Sequence, residues 1–301
     1  MRAIVTGGAG FIGSHVVDAL LARGDEVAVI DSLARGKEEN VAAAAELQVH
    51  DIREPLDDVF DAVRPEAVYH LAAQVDVRVS VEAPVDDADV NVLGTVRILE
   101  AARRHGAQVV FASTGGAIYG ECEVAASEDS PLEPLSPYGT GKLAAEEYIR
   151  SYNRLYGTRH IALRYGNVYG PRQDPHGEAG VVAIFLGALA RGEQARIYGD
   201  GLQSRDYVYV GDVARATTST LGQDSGVYNV GTGRETSVVD LYALCTKVAG
   251  SDIPAEHAPA RLGELQRSFL DPTRAAESLG FTAMVDLEDG LRATWEWITK
   301  E

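Results

Sequence analysis

A tyrosine and a lysine four residues apart, Tyr138 and Lys142, stand near the start of a predicted helix over 136–156. Residues at this spacing share one face of a helix, so the lysine ammonium can lie beside the phenol hydroxyl. A free phenol has a pKa of about 10, and a neighbouring positive charge favours its deprotonated form. The pair therefore predicts removal of a proton from a substrate alcohol, coupled to hydride transfer to an oxidised nicotinamide.

A glycine-rich turn lies far upstream of this pair. Gly7, Gly10 and Gly13 follow a predicted strand over 2–6 and open a predicted helix over 11–23. In such a turn the first glycine permits the tight bend, the second lets the backbone approach a pyrophosphate, and the third allows close packing of helix on strand. The pyrophosphate would meet the amides at the helix N-terminus, where Phe11 and Ile12 stand. This context predicts a dinucleotide site.

Two aspartates follow the next strands along the chain. Asp31 ends the second strand, where a carboxylate would hydrogen-bond the adenosine ribose hydroxyls and repel a 2′-phosphate, which favours NAD over NADP. Arg35 and Lys37 stand close to it, either as part of a solvated loop or as groups that accommodate that phosphate. Asp51, followed by Ile52, ends the third strand and is interpreted either as a ligand of the adenine amino group or as a helix cap.

Short apolar strands alternate with helices over the first 165 residues. The predicted strands cover 2–6, 26–30, 47–50, 67–71, 108–112 and 160–164, and a long helix is predicted over 85–105. This pattern predicts an α/β fold with a Rossmann-like, doubly wound parallel sheet whose carboxyl edge gathers the ligands. We expect an NAD-binding domain over 1–165, to which later segments add strands or helices. Residues 166–301, with helices over 181–191, 237–249 and 287–298, form mainly a smaller substrate-binding region.

Composition narrows the class of partner. The chain has 301 residues and a formal net charge of −18, so nucleic acid and anionic membranes are not expected as general partners, although local arginines could still hold an anionic ligand. The N-terminus runs directly into a strand, and no apolar run reaches the length of a bilayer span, so neither a secretory signal nor a membrane helix is expected. Cys122 and Cys245 show no metal-site spacing. Both are expected to be ordinary thiols in a reducing cytoplasm.

With these residues in place, the chain resembles the extended short-chain dehydrogenase/reductase family, and within it the UDP-galactose (UDP-glucose) 4-epimerases. The resemblance is strongest over 6–15, 138–142, 163–171 and 198–207. It implies NAD-dependent inversion at C4 of a UDP-hexose through a transient 4-keto sugar, in cytoplasmic galactose metabolism. It also implies a homodimer that pairs the two long helices, 85–105 and 136–156.

The resemblance assigns roles around the cofactor. Tyr138 becomes the acid/base, and Lys142 binds the nicotinamide ribose and stabilises the phenolate. Further residues that fall near the cofactor are Leu71, Ala72, Ala73, Asn91 and Tyr165. For Asn91, a helix asparagine that satisfies backbone groups is an equally good interpretation. His70 is expected to be a packed or hydrogen-bonded histidine rather than a catalyst.

One departure from the family pattern concerns the hydroxyl that assists the tyrosine. The family places a serine or threonine five residues before the glycine of a Tyr-Gly pair, and here that count from Gly120 falls on Gly115. Thr114 and Ser113 are the nearest replacements, and we hypothesise that Thr114 takes the role. Sugar-nucleotide 4,6-dehydratases carry Asp-Glu after their threonine, and Gly115-Gly116 cannot perform that elimination, so dehydration is disfavoured.

The same resemblance predicts the nucleotide-sugar site. Asn167, Arg205 and Arg261 would hold the diphosphate, where two guanidinium groups suit a dianion. The residues expected around the uridine and sugar are Val181, Val182, Tyr198, Glu264 and Ser268. Because Ser268 is small where the family controls room beside the sugar C2 substituent, N-acetylhexosamines should also be accepted. The alternatives are another enzyme acting on UDP-sugars, such as a uronate epimerase or decarboxylase, or a non-catalytic NAD-binding sensor.

Overall fold

The computed structural model describes residues 1–175, 180–261 and 264–300. The strands in these ranges are β1 (Arg2–Thr6), β2 (Glu26–Asp31), β3 (Glu46–Val49), β4 (Ala67–His70), β5 (Gln108–Thr114), β6 (Ile161–Tyr165), β7 (Asn167–Tyr169), β8 (Arg196–Tyr198), β9 (Ser204–Arg205), β10 (Tyr207–Tyr209), β11 (Gly226–Val230), β12 (Thr236–Ser237), β13 (Glu256–Ala258) and β14 (Arg267–Ser268). The helices are α1 (Phe11–Ala22), α2 (Asp57–Val63), α3 (Val77–Glu82), α4 (Pro84–Ala88), α5 (Gly94–His105), α6 (Gly115–Ile118), α7 (Pro137–Tyr156), α8 (Val181–Ala190), α9 (Val210–Ser219), α10 (Val238–Ala249), α11 (Thr273–Leu279) and α12 (Leu287–Ile298). A 3₁₀-helix covers Glu38–Asn40 and a π-helix covers Asp89–Leu93.

A seven-stranded sheet carries the fold, in the order β11-β6-β5-β4-β1-β2-β3. The neighbouring pairs from β3 to β5 are all parallel. The chain moves outward from β1 to β3 and then returns to the other side of β1 with β4, so the order reverses between β1 and β4. The predicted doubly wound α/β fold is therefore confirmed, and the reversal point is where such sheets bind their ligands.

The central strands are buried on both faces, as a covered parallel sheet requires. Ala3, Ile4 and Val5 of β1 are fully buried. Ile4 belongs to an apolar core that continues through the neighbouring strands into α5 and α7, where Ile98 and Ile149 pack. The unbroken apolar runs in the sequence therefore mark the inner strands correctly.

The chain divides into two compact units. The first contains Met1–Ile118, Leu132–Arg164 and Ala214–Tyr228, and the second contains Tyr119–Pro131, Tyr165–Val213 and Asn229–Glu301. The second unit has its own apolar core, in which side chains of α8, α10 and α12 meet. It also has short sheets, β10-β7, β12-β9-β14 and β13-β8. The functional division at residue 165 stays a prediction.

Most predicted boundaries agree with the structure to within one residue, with two corrections. The long helix over 85–105 is three consecutive segments, α4, the π-helix and α5, because the backbone widens by one residue per turn around Asn91. The fifth strand continues two residues beyond its predicted end, through Thr114. The short helices α2, α3, α9 and α11 and the edge strand β11 were not predicted. Among the described residues, no helix is both long and apolar enough to cross a bilayer.

Candidate active site

The glycine turn is shaped by contacts that exclude side chains. Gly7 has φ of +71°, and a Cβ on it would lie 2.6 Å from the Ala72 amide nitrogen. A Cβ on Gly13 would lie 2.0 Å from the Gly7 carbonyl oxygen. The Gly10 amide donates to that same oxygen at 3.1 Å. Both outer glycines are therefore required by the protein's own backbone, before any ligand is considered.

The first turn of α1 suits an anion. Gly10 is its N-cap, it makes no side-chain capping hydrogen bond, and the first turn contains no acidic residue. The amides of Phe11, Ile12 and Gly13 therefore have no competing side-chain acceptor there, and the helix dipole adds a partial positive charge. These residues fit the pyrophosphate of a dinucleotide.

Asp31 stands at the end of β2 and is buried. Its Oδ2 accepts a hydrogen bond from the Ala9 amide at 3.0 Å, and its Oδ1 accepts one from the Leu33 amide at 2.9 Å. The carboxylate thus fixes the turn and still has lone pairs for ribose hydroxyls. Arg35 Nη2 donates to Asp76 at 3.3 Å, which places that guanidinium in an ion pair of the protein's own.

The second predicted aspartate has a different environment. Asp51 accepts hydrogen bonds from the Arg53 amide at 2.9 Å and from its guanidinium at 2.7 Å. The Arg53 hydrogen bond lowers the pKa of Asp51 below its usual range. No helix begins at Asp51, so it is a turn residue rather than a helix cap. Ile52 is buried, and a Cβ on Gly94 would lie 2.7 Å from its Cδ1.

The end of β4 lies against the glycine turn. The Leu71 amide donates to the Thr6 carbonyl oxygen at 3.0 Å, and the Ala72 amide donates to Thr6 Oγ1 at 3.2 Å. These bonds bring 71–73, the predicted cofactor segment that includes Ala73, to the point where the sheet order reverses. The family resemblance predicted that this segment lies near the cofactor. In the structure, Ala72 lies beside Gly7 of the glycine turn.

His70 is buried in a chain of hydrogen bonds, as expected. Its Nδ1 lies 2.7 Å from Thr6 Oγ1 and its Nε2 lies 3.1 Å from Thr95 Oγ1. Thr95 Oγ1 donates to the Asn91 carbonyl oxygen at 2.7 Å, so it accepts from Nε2–H. Burial, with the Lys142 charge nearby, lowers the pKa of His70 to about 3. The imidazole is neutral at physiological pH, and its role is to join β1, β4 and α5.

This histidine predicts a loss of stability in acid. The unfolded chain takes up a proton near the ordinary pKa of 6.5, whereas the folded protein resists it until about pH 3. The stabilisation is therefore complete above pH 6.5 and is lost as the pH falls toward 3. Between pH 7 and pH 5, the free energy of unfolding of the native chain should fall by about 2 kcal/mol more than that of His70→Asn. Urea unfolding at the two pH values measures this difference. An equal fall in the free energy of unfolding in the native chain and in His70→Asn would contradict the prediction.

Asn91 lies in the π-helix and is fully engaged by the protein. Its Oδ1 accepts from the Gln74 amide at 3.1 Å, while Nδ2 donates to the Gln74 carbonyl oxygen at 2.9 Å and to Asp87 Oδ1 at 3.0 Å. Gln74 Nε2 also donates to Asp87 Oδ1, at 2.8 Å. The asparagine therefore holds the loop after β4, and any effect on the cofactor passes through that loop.

Lys142 is buried on α7 and points at the end of β5. Its Nζ donates to the Ala112 carbonyl oxygen at 2.9 Å and lies 4.7 Å from the centre of the Phe111 ring. The distance from Nζ to the centre of the Tyr138 ring is 6.0 Å. Burial lowers the pKa of Lys142 to about 8, an effect that the charges of Asp87 and Glu146 oppose. The predicted pair on one helix face is present.

The acidity of Tyr138 differs from the sequence-based expectation. Burial raises the pKa of its phenol to about 12, a hydrogen bond with the Thr114 side chain lowers it, and the Asp87 charge raises it. Lys142 alone therefore does not make the phenol acidic in this state, because burial of the phenol dominates its pKa. The family pattern places a hydroxyl at position 115, where this chain has glycine. The Thr114 side chain, one residue earlier, is the one that contacts Tyr138.

Ser113, the other candidate hydroxyl, is engaged elsewhere. It is buried, and its Oγ donates to Glu146 Oε1 at 2.6 Å. Thr114 is thus the residue of the two that the structure brings to Tyr138. The strand β5 extends through Thr114, so the helix that follows begins only at Gly115.

The predicted arginines lie together in the second unit. The Arg261 guanidinium stacks 3.9 Å from the centre of the Tyr198 ring. Arg205 Nη2 lies 3.9 Å from Glu264 Oε1. Ser268 pairs with Arg205 in the register between β14 and β9. Five residues predicted to bind one nucleotide are therefore brought close in pairs: two cations, one aromatic face, one carboxylate and one small side chain.

The other predicted substrate residues occupy strand and helix ends of this unit. Asn167 begins β7, and its amide donates to the Asp206 carbonyl oxygen at 2.7 Å. Val181 and Val182 begin α8, but Val182 packs into the core of the unit, so it can present only its backbone to a ligand. Tyr165 ends β6 and is buried.

Comparison with known proteins establishes the family. The model of the NAD dependent epimerase/dehydratase family matches residues 3–231. The chain belongs to this family. It is 46% identical to the UDP-glucose 4-epimerase of Mycolicibacterium smegmatis, over 99% of this chain and 98% of that protein.

Two solved structures of relatives agree with this family along the whole chain. The UDP-glucose 4-epimerase of Thermotoga maritima, solved with UDP-glucose, has a TM-score of 0.98 at 46% identity and covers 100% of this chain and 99% of that chain. The UDP-glucose 4-epimerase of Thermus thermophilus, solved with NAD, has a TM-score of 0.95 at 47% identity and covers 99% of each chain.

Two carboxylates of this epimerase/dehydratase family member were not predicted from its sequence. Asp87 is buried and accepts from Asn91 and Gln74, and Glu146 is buried beneath Lys142. Glu146 could have been found, because it follows Lys142 by four residues and so continues the face that begins at Tyr138. Asp87 gave a similar signal, because it precedes Asn91 by four residues on the predicted helix over 85–105. Its other partner, Gln74, lies in a separate loop.

Proposed function

We propose that this chain is an NAD-dependent UDP-hexose 4-epimerase that interconverts UDP-galactose and UDP-glucose through a transient 4-keto sugar. The observation that carries the proposal is the placement of Tyr138 and Lys142 on one face of α7, with Lys142 Nζ 6.0 Å from the centre of the Tyr138 ring, beside a Thr114 side chain that lowers the pKa of the phenol. An alcohol oxidation needs a base at the hydroxyl and a second polar group that fixes the oxygen. The whole-chain similarity to UDP-glucose 4-epimerases supports the same substrate class.

In the proposed mechanism Tyr138 takes the proton from the sugar 4-hydroxyl and later returns it, while Thr114 fixes the same oxygen. NAD, when bound, would supply the hydride acceptor and donor for C4 and a positive charge that would favour the phenolate. Lys142 adds a second positive charge and binds the nicotinamide ribose. Because burial holds the pKa of Tyr138 high in the ligand-free protein, the phenol becomes a base only when the site is loaded.

The second unit is proposed to hold the UDP group. Arg205 and Arg261 neutralise the diphosphate together with Asn167, and the Tyr198 ring packs beside the uracil. Glu264 accepts a hydrogen bond from the uridine ribose. Firm attachment at the nucleotide end leaves the neutral 4-keto sugar free to turn over and present its other face.

The assignment is tested by incubating the purified protein with UDP-galactose and no added cofactor. Interconversion of UDP-galactose and UDP-glucose to a common equilibrium from either side supports the proposal. Tight binding of both sugar nucleotides without turnover would contradict it and would favour an NAD-binding sensor.

Room beside the sugar C2 substituent predicts a wider substrate range. Ser268 is a small residue next to Arg205 in the sheet register, so we expect UDP-N-acetylglucosamine to be epimerised as well. Ser268→Tyr should lower kcat/KM for this substrate at least tenfold and leave UDP-galactose within about threefold, because a pocket that loses space rejects the larger group. Equal losses for both substrates, or no turnover of the N-acetyl sugar by the native chain, would contradict the prediction.

We further propose a cytoplasmic homodimer that acts in galactose metabolism. On α7, Tyr148 and Leu155 are exposed at 43% and 68%, and Val85 on α4 is exposed at 79%. Residues of α4, the π-helix and α7 also line an open groove, among them the apolar Pro84, Ala88, Val92, Pro137 and Ala144 and the polar Asp87 and Thr140. An apolar stripe along two neighbouring helices suits pairing with its own copy. Leu155→Glu should convert a dimer to a monomer in sedimentation velocity, and a native chain that sediments as a monomer would contradict the proposal.

A further inference from the structure

A buried ion pair lies directly behind the proposed catalytic residues. Glu146 of α7 and Arg164 of β6 are both 0% exposed, and the guanidinium donates to the two carboxylate oxygens at 2.9 and 2.6 Å. A buried pair of this kind is weak evidence for stability, since desolvation of the charges can exceed their attraction. The carboxylate also accepts from Arg150 Nη2 at 3.5 Å and from the Ser113 hydroxyl at 2.6 Å, and the serine bond indicates a second role for the pair.

Three consecutive residues at the end of β5 are attached to one face of α7. The Ala112 carbonyl oxygen accepts from Lys142, and the Ser113 hydroxyl donates to Glu146. The Thr114 side chain lies near Tyr138 and lowers the pKa of its phenol. The three helix residues follow one another at intervals of four, so they form a single stripe. These contacts hold the end of β5 against α7 next to Thr114 and Tyr138.

The backbone that follows Thr114 is not restrained by side chains. Gly115 and Gly116 follow Thr114 immediately, and glycine gives a backbone more freedom than any other residue. The position of the Thr114 hydroxyl therefore depends on the residues before it. Within β5, the Ser113 side chain donates to a carboxylate of α7, and such charge-assisted hydrogen bonds are the stronger class.

We propose that Ser113 and Glu146 are positioning residues for the epimerisation, which hold β5 against α7 so that the Thr114 hydroxyl meets the Tyr138 phenol. Arg164 orients the carboxylate through its two hydrogen bonds. The inference rests on the proposed roles of Tyr138 and Thr114, and it assigns Ser113 an indirect role in place of direct contact with the sugar.

The test uses Ser113→Ala, which removes one hydroxyl and leaves the ion pair intact. Its matched control is Tyr152→Phe, which removes a hydroxyl of α7 that also donates to a carboxylate at 2.6 Å, here that of Glu100 on α5. We expect Ser113→Ala to lower kcat for UDP-galactose about tenfold with KM unchanged within twofold, and Tyr152→Phe to keep native kcat. The acid limb of the kcat–pH profile should move upward in Ser113→Ala alone, because the bond from Thr114 lowers the pKa of Tyr138. If Ser113→Ala folds poorly by circular dichroism, Ser113→Cys takes its place.

A double-mutant cycle separates positioning from direct contact. If Ser113 acts through Thr114, then Ser113→Ala should cause no further loss of kcat in a Thr114→Ala background. Multiplicative losses, a selective rise in KM, or native kcat in Ser113→Ala would each overturn the inference. Native kcat in Thr114→Ala would remove the role of Thr114 and the inference with it, whereas the epimerase assignment is judged separately, by turnover of the native chain.

Discussion

Replacing Tyr138 by phenylalanine is expected to lower kcat for UDP-galactose by about 10²- to 10⁴-fold, the range that a positioned acid/base contributes. The ring remains and only the hydroxyl is lost, so packing at the start of α7 is preserved. Binding of UDP should be unchanged, because the proposed nucleotide ligands lie in the second unit. Coupled assay of UDP-glucose formation gives kcat, and calorimetric titration with UDP gives the affinity.

A matched control is available on the same helix. Tyr156 is 47% exposed near the C-terminal end of α7, and Tyr156→Phe removes a hydroxyl remote from Lys142 and Thr114. This variant should keep native kcat. A Tyr138→Phe protein that epimerises at the native rate would remove the phenol from the mechanism.

Replacing Gly13 by alanine is expected to destroy the cofactor turn. The added Cβ would lie 2.0 Å from the Gly7 carbonyl oxygen and 2.8 Å from its carbonyl carbon. These are backbone atoms of a turn held between β1 and α1, so they cannot rotate away. We expect a loss of more than about 3 kcal/mol in the free energy of unfolding, at the upper end of the range for overpacked sites. Thermal denaturation without NAD measures the loss of stability. The rise in melting temperature on addition of NAD measures whether the cofactor turn still binds.

Gly10→Ala is the comparison that separates fold from ligand. Its Cβ would lie 3.2 Å from the Gly7 carbonyl oxygen, and Gly10 has an ordinary extended backbone. This variant should fold, with a small change in melting temperature, yet it should bind NAD more weakly because the methyl occupies the approach to the pyrophosphate. A Gly13→Ala protein with native melting temperature and native NAD content would contradict the assigned geometry.

The parts of the fold that the sequence predicted are those specified locally. Gly7, Gly10 and Gly13 constrain a turn through their own backbone, and the strand before and helix after them carry unbroken apolar patterns. The Tyr138–Lys142 pair is set by helix periodicity alone. Gly157, with φ of +65°, ends α7 where the apolar stripe ends.

Features that depend on distant partners could not be read in this way. The strand β11 joins the sheet edge beside β6 although about sixty residues separate the two strands. The π-helix around Asn91 accompanies hydrogen bonds to Gln74, a residue of another loop. The pKa of Tyr138 is set mainly by burial, which a local motif does not report.

The structure places the Thr114 side chain beside Tyr138, as hypothesised, and the catalytic role of Thr114 stays a prediction. Counting residues places the expected hydroxyl on Gly115, and only the extension of β5 through Thr114 explains how the threonine reaches Tyr138. Glycines after the strand allow this shift, since they tolerate the sharp change into α6.

The most direct measurement of the central claim uses UDP-galactose carrying deuterium at C4, incubated in ordinary water without added cofactor. If one bound coenzyme takes and gives back the hydrogen within a single turnover, the UDP-glucose formed should retain the deuterium at C4. Appearance of product with hydrogen from the solvent at that carbon, or a requirement for stoichiometric added NAD, would contradict the account.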